Sequence, residues 1–160
     1  MASHIFTRVG YWKESVESNA TTARIARQDK ERDDLLHAMD YVVYAYLQRA
    51  EDKKALAVLD EMKAVTGVNP ARHTGPFALA ASPARYAVER ADWKAAAALP
   101  LHRTRFAHVD AMTHFARALG AARTGHPDAA KADIAELAAL RDKLREAKDA
   151  YWSAQVDIQW

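Results

Sequence analysis

Apolar and small residues recur along the chain at the three- and four-residue spacing of helix faces, and the runs they form are cut at regular points by a small residue. Residues 13–26 place Val16, Ala20, Ala23 and Ile25 as packing positions. Residues 35–49 form a second run. A third, over residues 53–65, carries Ala55, Leu56, Leu59 and Met62. Further runs cover residues 77–90, 93–99, 105–123 and 127–146, and an aromatic-rich stretch closes the chain at 150–160. Residues 3–8 read as the last turns of one more helix. No stretch shows the strict apolar–polar alternation of a strand. The pattern predicts an all-α chain.

Its punctuation repeats. Gly10, Ala50, Ala91 and Gly125 each end an apolar run, at spacings of 40, 41 and 34 residues. Five positions after each stands another small residue: Ser15, Ala55, Ala96 and Ala130. A helix that stops, turns within a few residues and returns antiparallel needs a small residue at the turn and another where the two helices cross closely. Such a hairpin cannot bury its apolar face alone, so neighbouring hairpins stack.

These turns and spacings resemble the tetratricopeptide repeat, of usual length about 34 residues. Gly125 and Ala130 fall at that motif's turn glycine and helix-packing alanine. The two longer intervals imply lengthened helices or loops. The segments 3–8, 10–12, 40–48 and 115–123 are similar to a group of larger bacterial tetratricopeptide-repeat proteins, for which no chemistry is carried over. The resemblance implies a right-handed α–α superhelix, a solenoid of about four helix-turn-helix repeats. They cover roughly residues 1–28, 34–66, 77–99 and 105–146, with the start of a further helix at 149–160. One domain over residues 1–160 is expected, as a segment of a longer solenoid.

Three local features qualify the helices. Residues 66–76 hold two Gly and two Pro and read as the clearest loop. Pro83 falls within the third repeat, so a first helix displaced, kinked or divided there is expected. For the helix after the charged segment 28–33, Asp33 or Asp34 is the expected N-cap.

Composition narrows the function classes. With 23 basic and 21 acidic residues the net charge is +2, and both signs are interleaved. A nucleic-acid partner would ask for clustered Lys and Arg. The basic positions Arg103 and Arg105 are followed by Asp110 and read as a solvated helix start. There is no cysteine, hence no thiolate chemistry. No apolar run reaches membrane-spanning length and no secretory signal is visible, so a cytoplasmic protein without a membrane partner is expected.

In a solenoid of helix pairs the first helix of each pair lines the concave surface. That surface would be lined by His4, Arg8, His37, Asp40, Tyr44 and Gln48 in the first half. Arg85, Glu89, Phe115 and Arg123 follow in the second, with Met112 and Leu119 beside them. His37, Asp40 and Tyr44 form one helical stripe and offer a peptide donors, acceptors and aromatic area. The alternative is that His37 and Asp40 pair with each other or with Arg8 while the tyrosines pack.

Seven histidines raise the question of a metal. No H-E-x-x-H motif occurs, and His102, His108 and His114, six residues apart, are each turned about 240° from the last on a helix. Neither a metal site nor any cofactor is expected. The motifs of nucleophilic catalysis are missing as well, so the chain reads as no enzyme. A protein-interaction scaffold that holds a peptide or protein segment is the leading expectation. A purely structural segment that self-associates through exposed helical ends is the second, and a small-ligand or metal-binding helical domain a remote third.

Overall fold

A computed structural model describes residues 2–160. Among them nine helices and no strand are found: α1 (Ala2–Arg8), α2 (Trp12–Gln28), α3 (Arg32–Gln48), α4 (Asp52–Lys63), α5 (Thr74–Glu89), α6 (Trp93–Ala97), α7 (Ala107–Arg123), α8 (Pro127–Glu146) and α9 (Ala150–Gln159). The all-α expectation holds. No helix among the described residues is long and apolar enough to cross a membrane.

One turn is used six times. Gly10, Lys30, Ala50, Ala91, Gly125 and Lys148 all adopt the left-handed conformation, with φ between 53° and 83°. In each case the next residue's N–H reaches back to the carbonyl five positions earlier. The six pairs are Tyr11 to Phe6, Glu31 to Ala26, Glu51 to Tyr46, Asp92 to Ala87, His126 to Ala121 and Asp149 to Leu144, at 2.8–3.0 Å. This closure satisfies carbonyls that a helix end would leave orphaned. The chain then re-enters a helix at once, because the residue that donates is also the N-cap of the next helix.

That coupling corrects one expectation. The N-cap of α3 is Glu31, not Asp33 or Asp34, and its side chain makes no capping bond. Turn geometry sets the start of α3. The two aspartates fall in its first turn, where negative charge still meets the positive end of the helix dipole. Side-chain capping operates at α6, where Asp92 accepts from Ala95 N–H at 3.0 Å, and at α9, where Asp149 accepts from Trp152 N–H at 3.1 Å. Two more boundaries differ. The third run begins at Thr74, before Phe77, since Pro76 sits in the first turn where a missing N–H costs nothing. Pro83 lies inside α5, which runs unbroken to Glu89.

The chain divides at Ser82 and Pro83 into two compact units, Met1–Ser82 and Pro83–Trp160. In unit 1, α1 packs on α2, α2 on α3 and α3 on α4. Its buried residues are mainly those of α3, with Leu36 and Val43 sealed from solvent, together with Ala55, Leu59 and Met62 of α4. In unit 2, α6 packs on α7, α7 on α8 and α8 on α9, while α7 also touches α9. Ala107, Ala111, Leu137, Leu144 and Val156 form its core, with Phe115, Leu140 and Trp152 against it.

The small residues five places after the turns do what the crossing demands. Ser15, Ala55, Ala96 and Ala130 are all at most 2% exposed. Ser15 also carries a polar ladder: its hydroxyl meets Thr7 Oγ1 at 2.8 Å, and Asn19 donates to its carbonyl at 2.8 Å. A close backbone approach occurs at Gly120. A Cβ there would stand 2.5 Å from both the Trp93 carbonyl oxygen and the Ala97 nitrogen, so the α7 and α6 backbones touch without room for a methyl group.

Candidate functional site

In α3 most positions are buried, yet His37, Tyr41, Tyr44 and Gln48 remain partly or fully accessible. Their spacing of four, three and four residues puts them on one stripe. Two residues from neighbouring helices border it. His4 of α1 stacks on Tyr41 with ring centroids 4.7 Å apart and meets His37 edge-on at 5.5 Å. Trp12 of α2 meets Tyr44 edge-on at 5.5 Å. The result is a strip of imidazole, phenol and indole rings with polar tips, accessible along one helix face.

The candidates of unit 1 part company here. His4, His37 and Tyr44 belong to the strip, and Gln48 extends it; Arg8 is exposed on α1. Asp40 is buried, and its carboxylate accepts from the buried Ser82 Oγ at 2.7 Å. Tyr41 and His73 were not among the expected residues. Tyr41 is the centre of the ring cluster, and His73, ahead of α5, lies against Phe77 at 5.1 Å within electrostatic reach of His37. Burial lowers the His4 imidazole below its ordinary value, helped by His37 and Arg8. Burial also lowers His73, with His37 adding to it.

In unit 2, burial pushes the Glu89 carboxyl up, while Arg85 and Arg90 pull it the other way. Phe115 is half-buried against the core of α7, α8 and α9. The Arg123 guanidinium lies 5.4 Å from the centre of the Trp93 ring.

Sequence reasoning missed a buried polar group of unit 2. His114 Nδ1 and Asp133 Oδ1 are 2.7 Å apart, and both residues are at most 9% exposed. Arg117 Nε donates to the same carboxylate at 3.2 Å, and its Nη1 donates to the Leu99 carbonyl at 2.8 Å. A cleft of about 230 Å³ opens beside them, lined also by His102, Arg103 and Asp110. Asp110 is held by Thr104, whose backbone N–H and hydroxyl both donate to it, at 2.9 and 2.7 Å. Because Arg117 shares the Asp133 charge, that carboxylate ties α7, α8 and the preceding loop together more than it activates an imidazole. The signal that could have found the pair is hairpin symmetry. His114 stands ten residues before Thr124 and Asp133 nine after it, so an antiparallel return brings them level.

Among the described residues no group of three His, Asp or Glu side chains is placed to hold a metal ion. Compared with protein families, curated proteins and solved structures, the chain matches none.

Proposed function

We propose that this chain is a binding module built of stacked tetratricopeptide-like hairpins, a right-handed solenoid of about four repeats, which receives a peptide or protein segment and performs no catalysis. The observation that carries the reading is the accessible strip His37–Tyr41–Tyr44–Gln48 on a helix most of whose positions are buried. Aromatic rings with polar tips supply contact area at low entropic cost and fix a ligand's register through their hydrogen bonds. Repeated hairpin closure, the buried small residue five places on, and the contact of α7 with α9 support the stacked arrangement. His4, Arg8, His37, Tyr44 and Gln48 contribute to the face in unit 1.

Selection of a displayed library of short peptides against the whole chain tests this. Selected peptides are expected to bind Tyr44→Ala and His37→Ala at least about ten-fold more weakly, about 1.4 kcal/mol, with helical circular dichroism unchanged. Peptides that bind both variants as tightly as the parent would remove the strip from the site.

A second reading is favoured by a separate observation. Tyr151, Ile158 and Trp160 of the α9 region are 59–80% exposed, as is Ile5 at 64% on α1. Self-association through such surfaces predicts a sedimentation coefficient that rises with concentration and falls back in Ile158→Lys.

A further inference from the structure

Unit 1 sets His4 on α1 against His37 on α3, and His73, ahead of α5, lies within electrostatic reach of His37. His4 sits face-on to Tyr41 and edge-on to His37, and His37 is edge-on to Tyr41 at 5.2 Å. His4 Nε2 is sealed from solvent and has no hydrogen-bond partner. A neutral imidazole tolerates that position; an imidazolium would bring an unpaired N–H and a charge into it.

We propose that this three-histidine cluster is an acid-sensitive latch, which holds α1 and the loop of residues 64–73 against α3 near neutral pH and releases them as the imidazoles become charged.

The charges facing the cluster explain the direction. His4 meets His37 from α3 and Arg8 from its own helix, all of one sign when protonated. His73 meets His37. Of the carboxylates of α3, Asp40 takes the Ser82 hydroxyl, Asp34 is held by Arg72 Nη2 at 3.2 Å, and Asp33 is buried beside Gly75 with its Oδ1 making no hydrogen bond. The Tyr41 face offers a protonated His4 some cation–π attraction. Burial and the like charges act the other way, lowering His4 and His73 below their ordinary value of 6.5. A group lowered on folding costs nothing while the pH stays above 6.5. Its stabilisation is lost as the pH falls through that value toward the folded one. Mild acidification is therefore the relevant window.

Thermal unfolding of the whole chain between pH 7.5 and 5.0 tests the latch, in the parent, in a His4→Phe/His73→Gln double variant and in His126→Gln as an exposed control. The parent midpoint should fall by several degrees more than that of the double variant, and the control should follow the parent. A double variant whose midpoint tracks the parent across the range would overturn the proposal. Ring-proton titration of the parent by NMR gives a readout that does not depend on the variant folding. At least two imidazoles should titrate below 6.5, and amides of α1 and residues 64–73 should lose exchange protection over the same interval. Seven imidazoles titrating at or above 6.5 would equally dispose of the latch.

Discussion

In unit 1 the half-buried His4 faces another histidine and an arginine, and its inner nitrogen meets no acceptor. In unit 2 the buried His114 is clamped to Asp133, which Arg117 holds from the other side. Both imidazoles are half or fully withdrawn from water, on helices built from the same turn. The one in unit 1 has company of its own sign and responds to protons; the one in unit 2 has a carboxylate and serves as a cross-link. The difference shows that placing a histidine inside a helical hairpin decides little by itself. Its neighbour on the facing helix decides whether it fastens the structure or senses its surroundings.

The two units can be set against each other by substitution. The largest effect is expected for Gly120→Ala in unit 2, whose new methyl group would meet two backbone atoms at 2.5 Å. A loss of about 3 kcal/mol or more in urea denaturation is expected. Gly75→Ala in unit 1 should cost less, because its close neighbours are the Asp33 and Val68 side chains, which can move. Equal losses would mean that the backbone contact is not the tighter constraint. Next comes Asp133→Ala, which leaves Arg117 and His114 without their common acceptor. With the Arg117 side chain 28% exposed, about 2 kcal/mol is expected, below the cost of breaking a fully buried pair. A smaller loss than for the Ser82→Ala change in unit 1, which removes one buried hydroxyl donor from Asp40, would reverse the ranking. The smallest effects are gains: Ala50→Gly in unit 1 and Ala91→Gly in unit 2 relieve left-handed alanines. Each should stabilise by about 0.5–1 kcal/mol in the same assay.

Much of the helix plan was legible before the coordinates. Gly10, Ala50, Ala91 and Gly125 stand at the left-handed turns, and their partners five residues on are buried, because close helix crossing leaves a mark in residue size. Lys30 and Lys148 adopt the same turn with no small residue at it, although Ser153, five places after Lys148, is small and buried. The backbone bond that closes it involves no side chain, so a lysine can occupy the position at a modest conformational cost. Val16 is half-buried and Ala23 buried as expected, whereas Ala20 and Ile25 face outward and Asn19 turns inward to the Ser15 carbonyl. A polar residue that satisfies itself on the helix's own backbone escapes a reading based on apolarity. The site was less legible. His37, Tyr44 and Gln48 shared a stripe by arithmetic, but Tyr41, His73 and the His114–Asp133 pair depend on which helix faces which.

The six reused turns carry a consequence for how the chain breathes. The amides of Tyr11, Glu31, Glu51, Asp92, His126 and Asp149 belong to no helix interior, yet each is spent on a carbonyl of the helix behind it. A deuterium-exchange map would therefore show protection running through the corners of the chain, with the fast-exchanging gaps falling just after them, in the first turn of each returning helix.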